Sequence, residues 1–171
     1  MYYSYMTCAL GRLMLAGDAA GLRLINFQHG RKQRVPETQW IKDDTRFSEV
    51  IEQIDAYFAG DLQTFSLRLT PTGTPFQQAV WQTLLAIPYG ETTSYGVIAQ
   101  TLGKPRAARA VGAANGGNPL PIVIPCHRVV GSTGKLVDYG GGVSNKQHLL
   151  DFERDNAQHP SGQASRPFIP R

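Results

Sequence analysis

Cys126 and His127 stand side by side at the end of an apolar run that reads Pro121-Ile122-Val123-Ile124-Pro125-Cys126-His127-Arg128. A thiol beside an imidazole suits nucleophilic chemistry: the histidine takes the proton, directly or through a water, and the thiolate attacks carbon. Pro125 restricts both itself and Ile124 to extended geometry, so the thiol is presented on a stiff backbone. Neighbours on an extended segment point to opposite sides, so the pair can cooperate only if the chain bends after Cys126, and a helical turn at His127 is expected. Without such a partner, a cysteine in an apolar run is just a small hydrophobe. A Cys-His hydrolase or acyl-transferase would use the same pair, but nothing in the sequence supplies its usual separate, distant histidine.

The elements that must carry this segment can be read in order. Residues 2–6, 12–16 and 22–27 are short β-prone runs separated by Gly11 and by Gly17-Asp18-Ala19-Ala20-Gly21, the pattern of a small antiparallel meander. From Asp43 to Gly60, the residues Phe47, Val50, Ile51, Ile54, Tyr57 and Phe58 recur at helical spacing, with Asp44 or Thr45 as cap and Gly60 as stop. That stripe should cover the meander. Phe65, Leu67 and Leu69 alternate as one more strand, and Thr70 to Gly73 reads as the hinge between a scaffold of residues 1–73 and a second module of residues 74–154.

The second module opens on a capping box, with Thr74 as N-cap, Pro75 at N1 and Gln77 at N3, and its helix should run toward Ile87. A helix from Ser94 or Tyr95 to Leu102, the turn Gly103-Lys104-Pro105, and a helix from Pro105 through Asn115 make a helix-turn-helix pattern. The second of these is low and smooth, built from Ala107, Ala108, Ala110, Gly112, Ala113 and Ala114 and broken only by Arg106 and Arg109. Small side chains let a backbone approach a groove closely. They offer almost nothing to base edges, so duplex binding through this face would be sequence-independent. A last helix, capped by Ser144 with Gln147 at N3, packs Leu149, Leu150 and Phe152 and carries Glu153 near its end. Residues 155–171 are rich in Pro, Ser, Gln and Asn and read as a mobile tail.

A chain of 171 residues, 42% of them hydrophobic, can build a packed core. Residues 1–73 hold eight Lys/Arg and eight Asp/Glu, residues 74–171 nine against five, so the whole excess of +4 lies in the second half. A basic half attracts polyanions. With only Cys8 and Cys126, and no basic and apolar leader at the start, a reducing, cytoplasmic location is expected, or a nuclear one in a eukaryote. No stretch approaches the ~18 consecutive apolar residues of a membrane span. His29, His127, His148 and His159 show no metal-ligand spacing with one another or with the cysteines, so no metal is expected.

The string from Asn118 to Gly131, followed by Tyr139-Gly140-Gly141-Gly142, resembles the active-site signature of the O6-alkylguanine-DNA alkyltransferases. The resemblance extends upstream through Thr74-Pro75-Phe76-Gln77, Ser94-Tyr95 and Ala107-Ala108-Arg109-Ala110-Val111-Gly112, and downstream to Glu153. It covers residues 74–154 closely and the first seventy only in outline. It implies an α/β protein: a small N-terminal antiparallel sheet with one helix, ribonuclease-H-like, then a mainly helical C-terminal domain with a helix-turn-helix. It implies direct-reversal DNA repair by irreversible, stoichiometric transfer of the alkyl group from O6-alkylguanine to Cys126, with O4-alkylthymine left open as a second substrate. No cofactor is required.

By resemblance, His127 is the general base through a water, Glu153 orients the imidazole, and Tyr95 donates toward N3 of the guanine. Arg109 enters the duplex where the flipped nucleotide was, since a base must leave the stack before its O6 meets a thiol in a pocket. Asn118 should bond across its own turn. The carbonyls of Cys126 and Val129 would read the guanine amino group, under a lid of Tyr139, Gly140 and Gly141. The partner implied is double-stranded DNA, docked through its minor groove on a monomer, with cooperative binding along DNA as an open alternative. The chain departs from the family where Gly140 replaces the usual Ser or Ala, where His148 replaces a usual Trp, and where Asp138 places a negative charge beside the DNA path. A three-glycine lid should be looser. The rival reading is an alkylguanine-binding protein that flips the base without repairing it. Such proteins lack the reactive cysteine, and Cys126 argues against it.

Overall fold

The computed structural model describes residues 1–29, 33–137 and 139–158. Strands β1 (Tyr2–Cys8), β2 (Gly11–Asp18) and β3 (Gly21–Phe27) form the expected antiparallel meander, with a bulge between Ala16 and Gly17. A two-residue strand that the sequence does not announce, β4 (Ile41–Lys42), adds in parallel to β1 and gives the order β3-β2-β1-β4. Alternation decides the faces of β2. Leu13 and Leu15 point into the main core, while Met14 and Ala16 turn to the opposite face under Tyr3, Tyr5 and Trp40.

Helix α1 (Ser48–Ala59), preceded by a 3₁₀ turn at Thr45–Phe47, buries Val50, Ile54, Tyr57 and Phe58. It ends at Gly60 in the left-handed conformation, φ 87°. Asp44 takes the N-cap position of the 3₁₀ turn, as one of the two expected caps, but without a side-chain hydrogen bond, and α1 itself starts after Phe47. Asp43 accepts from the Thr45 backbone N–H at 3.2 Å, while the Asp44 carboxylate accepts from Ser4 at 2.7 Å and Lys42 at 3.1 Å. The expected strand at Phe65 to Leu69 also fails to form. The Gln53 side chain captures the Ser66 backbone N–H at 2.8 Å, leaving a single parallel bridge between Leu69 and Leu22.

Helix α2 (Pro75–Leu85) carries the full capping box and stops two residues short of Ile87. Strand β5 (Thr93–Ser94) leads into α3 (Tyr95–Thr101), whose N-cap Ser94 accepts from Val97 N–H. Helix α4 (Ala108–Gly116) begins three residues later than expected, so Arg106 and Ala107 precede it. Pro105 instead sits inside a turn that Ala107 N–H closes on the Lys104 carbonyl at 2.8 Å. Strand β6 (Val129–Val130) pairs in parallel with β5. Helix α5 (Val143–Ala157) follows Gly142 with no side-chain cap, so Ser144 lies inside its first turn, and it continues through residues 155–157 of the expected tail. Residues 159–171 of that tail, and Asp138, lie outside the described residues.

The two parts share one apolar core in which Leu13, Ile25, Ile54 and Tyr57 join Val80, Ile98, Leu120, Ile122 and Leu149. Ile25 N–H donates across the two parts to the Pro119 carbonyl at 2.8 Å, and within the second the Trp81 indole N–H ties α2 to the Ala114 carbonyl of α4 at 2.9 Å. Among the described residues no helix is long and apolar enough to cross a membrane.

Candidate active site

The loop between α4 and β6 is held from its beginning. Asn118 accepts from Leu120 N–H at 3.0 Å and donates to the Ile124 carbonyl at 2.8 Å, while Ile124 N–H donates to the Leu120 carbonyl at 2.8 Å. Inside this clamp Ile122 adopts φ 77°, a conformation rare for a β-branched residue and sustained only where surrounding structure dictates it. Pro125, at φ −79° and ψ 61°, is the centre of an inverse γ-turn closed by Cys126 N–H on the Ile124 carbonyl at 2.7 Å. The chain then bends into a 3₁₀ turn over Cys126–Arg128. An extended backbone would separate the thiol from the imidazole; this bend occurs where cooperation between them requires it.

Cys126 is 4% exposed and His127 fully buried. Burial pushes the Cys126 thiol up, and the Asn118 side chain, the Lys146 charge and nearby backbone N–H groups pull it down. Burial outweighs them, so the thiol pKa is raised. Next to it, His127 Nε2 meets Glu153 Oε1 at 2.9 Å, which leaves buried Nδ1 without a hydrogen-bond partner among the described residues. With Nε2–H donating to the carboxylate, Nδ1 carries the basic lone pair.

Glu153 is the centre of the arrangement. It is fully buried and also accepts from the Tyr57 hydroxyl at 2.7 Å, from Arg128 Nε at 2.8 Å and Nη2 at 2.9 Å, and from Gly90 N–H at 3.3 Å. Burial alone would raise its pKa, but His127 and Arg128 hold it well below the usual carboxylate range. Arg128 is completed by the Ile87 carbonyl at 2.7 Å and lies over the Tyr89 ring at 5.6 Å. A charge-paired, fully donated carboxylate of this kind fixes an imidazole's tautomer and stabilises its protonated form.

Cys126, His127, Glu153 and Asn118 thus converge. Tyr139 joins them edge-on to His127 with ring centroids 6.4 Å apart, its hydroxyl raised well above the usual phenol range, chiefly by burial. The two glycines expected in the lid are unlike one another: Gly140 is exposed, with nothing among the described residues within 4 Å of a would-be Cβ, whereas Gly141 is buried and a Cβ there would meet the Phe27 ring at 2.8 Å. At Gly141 this segment rests against the sheet. Of the two carbonyls expected to read a base, that of Cys126 already accepts twice, from Asn115 Nδ2 at 3.3 Å and from Val129 N–H, and that of Val129 accepts from Lys146 Nζ at 2.6 Å.

The expected DNA face is separate and open. Arg106, Arg109, Ala110 and Ala113 are exposed, Ala107, Ala108 and Gly112 half-buried, and a Cβ added at Gly112 would lie 3.7 Å from the half-buried Tyr95 ring. Val97 of α3 is exposed as well. Sequence reasoning assigned no site role to Tyr57, Asn115, Arg128 or Lys146. Lys146 is fully buried on the face of α5 that also buries Leu149, Phe152, Glu153 and Asn156, and a lysine in helical register with Leu149 and Leu150 is the local signal that could have marked it.

Residues 1–71 match the family description "6-O-methylguanine DNA methyltransferase, ribonuclease-like domain", and residues 75–155 match "6-O-methylguanine DNA methyltransferase, DNA binding domain". The chain belongs to the 6-O-methylguanine DNA methyltransferase family. It is 46% identical over 153 residues to a methylated-DNA–protein-cysteine methyltransferase of Methanosarcina acetivorans, covering 90% of this chain and 98% of the relative. A relative of the same name from Mycobacterium bovis is 48% identical over 158 residues, 92% of this chain and 94% of its own. The crystal structure of Mycobacterium tuberculosis OGT in complex with DNA superposes with a TM-score of 0.84 at 46% identity, over 91% of this chain and 94% of that one.

Proposed function

We propose that this family member is a methylated-DNA–protein-cysteine S-methyltransferase that repairs O6-alkylguanine in duplex DNA by moving the alkyl group onto Cys126. The observation that carries the reading is the buried line from Cys126 and His127 to Glu153, with the carboxylate held by Tyr57 and Arg128. The Cys126 thiol proton passes to His127, through a water. The thiolate sulfur attacks the alkyl carbon, the carbon–O6 bond breaks as the carbon–sulfur bond forms, and the guanine departs with the bonding pair and takes a proton from the Tyr95 hydroxyl, which is made good by the proton that Cys126 gave up. Glu153 stabilises the imidazolium meanwhile. Tyr95 donates toward N3 of the base, the carbonyls of Cys126 and Val129 take its amino group, and Tyr139, Gly140 and Gly141 form the wall over it. Asn118 keeps the thiol segment preorganised.

Docking proceeds through the minor groove on Ala107 and the small-residue face of α4 from Ala108 to Ala113, with Arg106 on phosphate and Arg109 filling the place of the flipped nucleotide. The thioether formed has no route back to thiol, so each molecule acts once, as a monomer and without cofactor. The test is intact mass after incubation with duplex DNA carrying one O6-methylguanine, beside Cys126→Ser. A single stoichiometric gain of one methylene, lost in the variant, supports transfer. An unchanged mass with persistent lesion-dependent binding would favour the non-repairing alkylguanine-binding reading.

A further inference from the structure

The lid and the N-terminal sheet meet at one side chain. Phe27, the last residue of β3, is 3% exposed, and the Tyr139 ring stands edge-on to it with centroids 5.8 Å apart. A Cβ at Gly141 would lie 2.8 to 3.0 Å from three atoms of the same ring, so the Gly141 backbone rests directly on Phe27. Beside it His29 packs on Phe27 at 5.5 Å and is hydrogen-bonded to Asn145, in the first turn of α5, at 3.3 Å. The lid and the start of the helix that follows it are both seated on the end of β3. Tyr139 in turn faces His127. A line of ring contacts thus runs from the scaffold domain to the reacting pair.

We infer that Phe27 is a specificity-determining residue for alkyl transfer, the floor on which the N-terminal domain sets how far the lid stands from Cys126 and so how large an alkyl group the site admits. The inference rests on the reading of Cys126 as acceptor and of Tyr139 to Gly141 as the wall over the base. Phe27 is a positioning residue, acting through Tyr139 and Gly141. Packed interiors transmit displacement, so a change in this ring moves the lid. Phe27→Ala lets the lid retreat: a methyl group is held in poorer alignment while a benzyl group gains room. Gly141→Ala drives the lid off the ring from the other side. Phe27→Leu removes the ring atoms that the new Cβ strikes, so the two changes compensate.

The experiment follows alkylation of Cys126 by mass with duplexes carrying either O6-methylguanine or O6-benzylguanine. Phe27→Ala lowers the methyl rate about tenfold and the benzyl rate less, raising the benzyl-to-methyl ratio about fivefold, while affinity for undamaged duplex stays unchanged. Gly141→Ala, which leaves the core contacts of Phe27 in place should Phe27→Ala fold poorly, lowers the methyl rate, and adding Phe27→Leu recovers most of the loss. A ratio unmoved in folded Phe27→Ala, or a Gly141→Ala defect that Phe27→Leu does not relieve, overturns the inference while transfer by the parent protein stands. A parent protein that leaves Cys126 unmodified with both duplexes overturns the transfer reading and this inference together.

Discussion

Replacing Glu153 by Gln tests the centre of the site. The carboxylate accepts from Tyr57, His127, Arg128 twice and Gly90 N–H, with all its neighbours donors. An amide offers one acceptor oxygen and turns an NH2 group toward those donors. It also strips the counter-charge from a guanidinium that is 6% exposed. Breaking a buried pair from one side costs about 3–5 kcal/mol, out of a total stability of about 5–15 kcal/mol. At about 2–4 °C per kcal/mol for a chain of this size, the unfolding midpoint should fall by about 6–20 °C.

The pH dependence carries the same signature. Glu153 is held below its ordinary pKa in the folded state, so it contributes stability above about pH 4.5, lost as the pH drops below that value. Glu153→Gln should flatten that acid slope. With Arg128→Met added, the guanidinium left without its counter-charge is removed too, so the double variant should be more stable than Glu153→Gln alone. Transfer to Cys126 should slow about 100-fold, because the imidazolium loses its anion. Thermal melts from pH 3 to 8, with single-turnover rates at pH 7.5, decide it. A Glu153→Gln protein with an unchanged midpoint, acid slope and rate would refute the role given to this carboxylate.

Three further outcomes follow from the geometry. Lys146→Met removes a buried cation whose charge lowers the Cys126 pKa, so the pH profile of Cys126 alkylation should move upward, read as the midpoint of its rate against pH. Gly140→Ser enters open space, should change stability by no more than about 0.5 kcal/mol, and should tighten binding of O6-methylguanine duplex by supplying a hydroxyl to the lid, as equilibrium titration would reveal. Arg109→Ala should slow transfer from duplex far more than from a short single strand in which no nucleotide must be flipped; equal slowing on both would argue against a wedge at this exposed position.

Much of this was legible because it is local. Thr74, Pro75 and Gln77 satisfy one another within a single turn, Ser94 caps the helix it precedes, and Gly60 ends α1, so propensity and hydrogen bonding point the same way. The need for a bend at His127 was legible from strand geometry alone. Errors arose where a residue had a choice of partners. Asp44 takes the cap position but its carboxylate goes to Ser4, the strand pattern at Phe65 to Leu69 lost Ser66 to Gln53, and Ser144 lies one residue inside the helix it was expected to open.

The sequence by itself determined that a thiol, an imidazole next to it and a smooth alanine-rich helix are present, because residue type and short spacing suffice to specify them. Only the tertiary structure decided what surrounds them. Tyr57 reaches Glu153 across 96 positions and Arg128 reaches Ile87 across 41. Gly141 is needed because Phe27, from another layer, occupies the space a side chain would take. Such pairings are set by how helices and sheet pack around a shared core, and no window of local sequence contains both partners.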